Sequence, residues 1–152
     1  SKAEANRTQK KLFGKVDNAR EGQTEGGTPF AQMMTMAVDA VADGIVITDP
    51  KLPDNPVIYV NKAFEKITQY MASEVIGKNC RFLQGKDRDQ EALAEIREAV
   101  KSGRNCRVEL RNYRKDGTMF HSALSIAPVI SAQGEVVNFI GIVQDVTRSR
   151  EM

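Results

Sequence analysis

Residues Gly77–Gly85 read GKNCRFLQG. One short segment holds a thiol (Cys80), a fixed cation (Arg81) and two side-chain amides (Asn79 and Gln84), with the apolar pair Phe82 and Leu83 among them. A lone cysteine can be a core packer, a metal ligand or a nucleophile. A metal site finds no support elsewhere in the chain. The only other cysteine is Cys106, and the single histidine, His121, has no partners at zinc spacing.

The chain around this segment has 152 residues, enough for one domain with a core and extensions. It is 41% hydrophobic and 28% charged, the balance of an ordinary globular protein. No apolar run approaches the ~18 residues of a membrane span, so no membrane is expected as a partner. No secretory leader is read, which favours two free thiols in the cytoplasm over a disulfide. The formal charge of +2 resides in residues 1–28, which hold six basic and four acidic residues. The rest is balanced, no basic stripe is visible, and nucleic acid is not expected as a partner. A start at Ser1 suggests an excised piece, with any effector domain outside it.

Residues 1–28 read as a charged, helix-permissive extension followed by the linker EGQTEGGT. Residues 29–43 hold FAQMMTMAVDAV, in which Phe30, Met33, Met34, Ala37, Val38 and Val41 recur at helical spacing. The spacing predicts an amphipathic flanking helix that packs on its own domain or forms a dimer or relay surface. The core domain spans 44–147. Strands are expected at 44–48 and 57–60, separated by DPKLPDNP (49–56), whose prolines forbid continuation. Asn61 can cap a short helix holding Phe64 and Ile67, and 73–76 form one more turn. A longer helix starts at Asp87 or Asp89, runs to Lys101 and stops at Gly103. Strands at 104–114, 119–130 and 136–146 are joined by the turns KDG and SAQG. This order predicts an α+β domain, an antiparallel sheet with a helical cover. Residues 148–152 begin a C-terminal linker.

Strand alternation assigns the faces. Val108, Leu110 and Asn112 share one face, as do Phe120, Ser122, Leu124 and Ile126, and likewise Val137, Phe139, Gly141 and Val143. These mostly apolar faces are the inner ones, and an unpaired Asn112 or Ser122 there would cost ~1–3 kcal/mol. Such residues are satisfied by backbone or by a polar ligand edge. Arg97 lies between Leu93 and Val100 on the buried stripe of its helix and needs an anion: Glu91, Asp87, or a phosphate shared with Arg81. Gly141 leaves room for something flat against the sheet. A heterocycle carrying a phosphate fits this inventory. Cys106 is expected in the core and His121 outside. The outer face, with Ala123, Ser125, Ala127, Ile140 and Ile142, could pack the flanking helix or a second subunit.

With these residues in place, the stretch from about Gly44 to Thr147 resembles a light-oxygen-voltage (LOV) domain, the flavin-binding branch of the PAS fold. GKNCRFLQG carries most of the resemblance, supported by VITDPKLPDNP, IREAV, NYRKDG and FIGIVQDVT. The resemblance implies a five-stranded antiparallel sheet around FMN and a blue-light sensor rather than an enzyme. Cys80 would be the photoactive thiol that adds reversibly to C4a of the flavin. Arg81 and Arg97 would hold the phosphate. Asn79, Gln84 and Asn112 would bond the ribityl chain and polar ring edge. Val46, Thr48, Asn55, Val57, Leu83, Leu124, Ile126, Phe139 and Gly141 would line the ring pocket. Two positions depart from the family pattern. Ser122 stands where an asparagine is usual, and Val143 stands where a glutamine usually contacts N5 and O4. Gln144 is adjacent but points to the other face unless a bulge turns it inward. The apolar flanking helix and outer sheet face together suggest a homodimer through those surfaces. A flavin redox sensor and a PAS interaction module without flavin remain as alternatives.

Overall fold

The computed structural model describes residues 2–5 and 28–151. Residues 2–5 are helical, and most of the expected extension and linker lies outside the described residues. The described elements are α1 (Pro29–Ala40), β1 (Gly44–Thr48), β2 (Val57–Val60), α2 (Lys62–Thr68), α3 (Ala72–Val75), a 3-10 helix (Cys80–Gln84), α4 (Glu91–Ser102), β3 (Cys106–Tyr113), β4 (Met119–Ile130), β5 (Val136–Asp145) and α5 (Thr147–Glu151). The five strands form one antiparallel sheet in the order β2-β1-β5-β4-β3. The expected α+β fold is the one observed.

The register explains the face assignment. Val143 pairs with Gly44 and Leu124, while Gln144 pairs with Ala123. The one irregularity between β4 and β5 falls at Val129/Ile130, far from Gln144. Gln144 therefore keeps to the outer face, where its Nε2 donates to Asp43 Oδ2 at 3.2 Å. On β3, Val108, Leu110 and Asn112 are buried and alternate with more exposed neighbours, as a half-covered strand requires. The core cluster joins β1 and β2 (Val46, Ile47, Val57, Ile58, Tyr59, Val60) to Phe64, Val75, Ile76, Leu83, Phe120 and Val143.

Asn61 ties three elements together. As the cap of α2, its Oδ1 accepts from Phe64 N at 3.0 Å and from Ile45 N at 2.8 Å. Its Nδ2 donates to Val38 O and Asp43 O, both at 3.0 Å. The residue is fully buried, and its amide is fully satisfied.

Two expectations change. The long helix starts at Glu91, not at Asp87 or Asp89. Asp87 is diverted from capping because its carboxylate accepts from Arg111 Nε and Nη2 at 2.6 and 2.9 Å and from Tyr113 Oη at 2.7 Å. Gln90 then bonds the β3 backbone, accepting from Arg111 N at 2.8 Å and donating to Arg111 O at 3.0 Å. The second change concerns α1. Its apolar stripe faces its own domain only in part: Val38 packs on the core cluster, Phe30, Met33, Met34 and Val41 are exposed, and the buried residue is Thr35. Thr35 spends its hydroxyl on Ala31 O, which lets a polar residue occupy the packed face.

Replacing Asn61 by Ala strands the N–H groups of Ile45 and Phe64 and the Asp43 carbonyl, while Val38 O keeps its bond from Val41 N at 3.4 Å, and each stranded group costs ~1–3 kcal/mol. The expected loss is at least about 3 kcal/mol, read from the urea midpoint at constant m.

Candidate functional site

The inner face of the sheet, the 3-10 helix and α4 enclose a cavity of about 480 Å³. Its apolar walls are Val46 from β1, Leu83, Leu93, Ile96 and Val100 from the helices, Leu124 and Ile126 from β4, and Phe139, Gly141 and Val143 from β5. Its size and lining suit a drug-sized heterocycle. A Cβ on Gly141 would stand 2.8 Å from Val46 Cγ1 and 3.5 Å from Leu124 Cδ1, so only glycine keeps this wall flat without pushing β1 aside.

The 3-10 helix positions the central motif. Asn79 caps it, with Oδ1 accepting from Arg81 N at 2.9 Å. Its first residue, Cys80, then faces the cavity. Phe82 meets the Tyr70 ring edge-on at 5.0 Å, and Leu83 is buried in the core. Burial pushes the Cys80 thiol up to about 12, so it is a neutral S–H near pH 7. No histidine base stands beside it among the residues that line the cavity.

The polar groups divide into three sets. Gln84 Nε2 donates to Asn112 Oδ1 at 2.9 Å, fixing both buried amides against one wall. Thr48 Oγ1, Asn55 Oδ1 and Ser122 Oγ are buried without a hydrogen-bond partner. Thr48 and Asn55 line the cavity, so their orphaned oxygens await a polar ligand edge there. At the mouth stand Arg81, Arg88, Arg97 and Lys101, with one carboxylate, Asp54. This set of apolar walls, unsatisfied oxygens and clustered cations fits a flat heterocycle with a polar edge and an anionic tail.

Most residues singled out from the sequence converge here: Val46, Thr48, Asn55, Asn79, Cys80, Arg81, Leu83, Gln84, Arg97, Asn112, Leu124, Ile126, Phe139, Gly141 and Val143 all line the cavity. Val57 does not. It is fully buried in the core cluster on the edge strand β2, its N–H donating to Lys78 O and its carbonyl accepting from Gly77 N, both at 2.8 Å. Ser122 is fully buried on the inner face but is not a lining residue. Arg97 is exposed rather than on the buried stripe, because Leu93, Ile96 and Val100 form that stripe and Arg97 flanks it at the mouth. Among the described residues neither Glu91 nor Asp87 pairs with Arg97, and Asp87 is bonded to Arg111 instead. Sequence reasoning missed Asp54, Arg88, Leu93, Ile96, Val100 and Lys101. The spacing of Leu93, Ile96 and Val100, and of Arg97 and Lys101, is the signal that could have found most of them.

Arg111 and Tyr113 hold Asp87 down at about 2, closing the loop between the 3-10 helix and α4 onto β3. The raised Cys80 value also links to stability. The unfolded thiol ionises near 9, so stability is intact below that pH and is lost as pH rises toward about 12. The expected outcome is a steeper fall in urea midpoint between pH 9 and pH 11 for the parent chain than for Cys80→Ala. Parallel profiles would place the thiol in contact with bulk water.

Comparison with known proteins identifies the family. The PAS domain family matches residues 42–148. The chain is 43% identical over 123 residues to a protein of Listeria monocytogenes named "Blue-light photoreceptor", covering 81% of this chain and 48% of that one. It is 41% identical over 124 residues to a "Blue-light-activated histidine kinase" of Brucella anthropi, covering 80% of this chain and 25% of that protein. The chain thus spans about half the length of the Listeria relative and a quarter of the Brucella one. Among solved structures, the light state of the blue-light photoreceptor Aureochrome1 LOV superposes with a TM-score of 0.68 at 37% identity, over 78% of this chain and 90% of that one. With the cavity, its inward thiol and these relatives together, the chain belongs to the light-oxygen-voltage branch of the PAS domain family.

Proposed function

We propose that this chain is a blue-light photosensory module that binds FMN and signals through a reversible bond between Cys80 and the flavin. The observation that carries the reading is the neutral Cys80 thiol on the wall of a flat cavity with orphaned polar oxygens. Bound flavin supplies blue absorption and, once excited, an electrophilic ring carbon. Cys80 would supply the thiol sulfur and its proton for a bond to the ring that forms under light and reverses in the dark. Gln84, Asn112, Thr48 and Asn55 orient the polar edge and ribityl chain, with Asn79 near the sugar. Arg97, Arg81, Arg88 and Lys101 attract the phosphate. Ser122 is too short to replace a longer amide at the pyrimidine edge, so that contact is lost or bridged by water.

Val143 offers no donor to N5 or O4, so signalling by side-chain reorientation there does not operate. Output would then have to run through the backbone of the cavity wall or through a water rather than through a side chain at position 143. The module acts on an effector elsewhere in a longer protein or on a separate partner, as the name of the Brucella kinase illustrates for that protein. It is a sensor rather than an enzyme, suited to the cytoplasm. Among the described residues no helix is long and apolar enough to cross a membrane. The exposed apolar stripe of α1, with Ile142 on the outer sheet face, supports a homodimer through those surfaces.

The expected spectrum is a structured blue band that bleaches after a flash and recovers in the dark. A yellow protein that does not bleach would remove the Cys80 step, and a colourless one would remove flavin. Val143→Gln is expected to shift the band to longer wavelength by adding a donor at O4, whereas Gln144→Leu leaves it unmoved. For the dimer, Met36→Glu is expected to halve the molar mass found by light scattering, and an unchanged mass would exclude α1 from the interface.

A further inference from the structure

Arg81 at the cavity mouth is already engaged. Its Nη1 and Nη2 donate to the two carboxylate oxygens of Asp54 at 2.6 and 2.5 Å. This two-pronged fork is the geometry in which a guanidinium grips a phosphate. The carboxylate is aimed by a built turn. Asp54 and Asn55 both have left-handed backbone, with φ of 67° and 47°. The turn is held by Asn79 Nδ2 donating to Asp54 O at 2.8 Å and by Asn55 N donating to Leu52 O at 3.2 Å. Both charged groups are about half exposed, so either can rehydrate if the other is taken. Arg97 and Lys101, one helical turn apart on α4, carry no such carboxylate partner among the described residues.

We propose that Asp54 is a specificity-determining residue of the cavity: it competes with a ligand phosphate for Arg81 and so sets how much more tightly a phosphate-bearing flavin binds than a phosphate-free one. The inference rests on the flavin reading above. A phosphate at the mouth also finds Arg88, Arg97 and Lys101. It shares Arg81 only by displacing Asp54 or by tolerating a like charge beside it. The ring contacts lie deeper, on Thr48, Asn55, Gln84 and Asn112, and do not involve the Asp54 carboxylate. Its effect is therefore confined to the anionic tail.

The test titrates the flavin-stripped full chain with riboflavin and with FMN, following flavin fluorescence at fixed ionic strength. Asparagine tolerates the left-handed backbone and nearly preserves the shape of the side chain, so Asp54→Asn is the first variant. The expected result is FMN binding about fivefold to tenfold tighter with riboflavin changed by less than about twofold, the gain shrinking as salt is raised. Asp54→Gly, which also accepts that backbone, is expected to give the same selective gain. An unchanged FMN affinity, or equal shifts for both flavins, would overturn the proposal and leave Asp54 a residue that only pins its loop. A parent chain that binds neither flavin would overturn the flavin reading itself, and the inference with it.

Discussion

The arrangement depends on one buried amide. Asn61 sits where the end of α1, the start of β1 and the first turn of α2 meet, and it uses both of its oxygen lone pairs and both of its amide hydrogens. Those backbone groups lie at or beside the ends of elements, and of the four only Val38 O has a further partner among the described residues, Val41 N at 3.4 Å. A shorter polar residue cannot span all four, and an apolar one satisfies none. The register of β1 follows from this anchor, and β1 in turn seats Val46 and Thr48 against β5. The floor of the cavity is thus fixed by a residue that never touches it.

The cavity shows the opposite economy. Two buried oxygens on its wall, Thr48 Oγ1 and Asn55 Oδ1, lack a partner, and a volume of about 480 Å³ is left among apolar walls. Both features cost stability. A ligand that fills the space and satisfies the oxygens binds the folded chain alone, and so recovers that cost by mass action. The two ends of the cavity differ in kind. The ring end is dry and geometric, while the mouth is exposed and electrostatic, so salt acts on one and hardly on the other.

Much of the fold was legible because its signals are local. Alternation on β3, β4 and β5 assigned the inner face, the turn before Gly103 ended α4, and Asn61 announced its own cap. GKNCRFLQG drew attention to the right wall of the cavity. What was not legible depends on pairs far apart in sequence. Nothing near Asp87 tells that Arg111 and Tyr113 will claim its carboxylate and delay the helix to Glu91. Nothing near Arg81 tells that Asp54 reaches it from the loop before β2. The stripe of α1 left two readings open, because helical periodicity reveals an apolar face without saying what covers it. Arg97 misled because one position around a helix separates a cavity wall from its rim.

The pleat of β5 carries a mechanical consequence. Val143 looks into the cavity and Gln144, the next residue, looks out to Asp43 at the joint between α1 and β1. At that point the sheet is a partition one residue thick. The two side chains share a single peptide unit, which is planar and stiff. A tilt of that peptide unit is therefore shared by the inner surface at Val143 and by the outer one, where the Gln144 side chain meets Asp43.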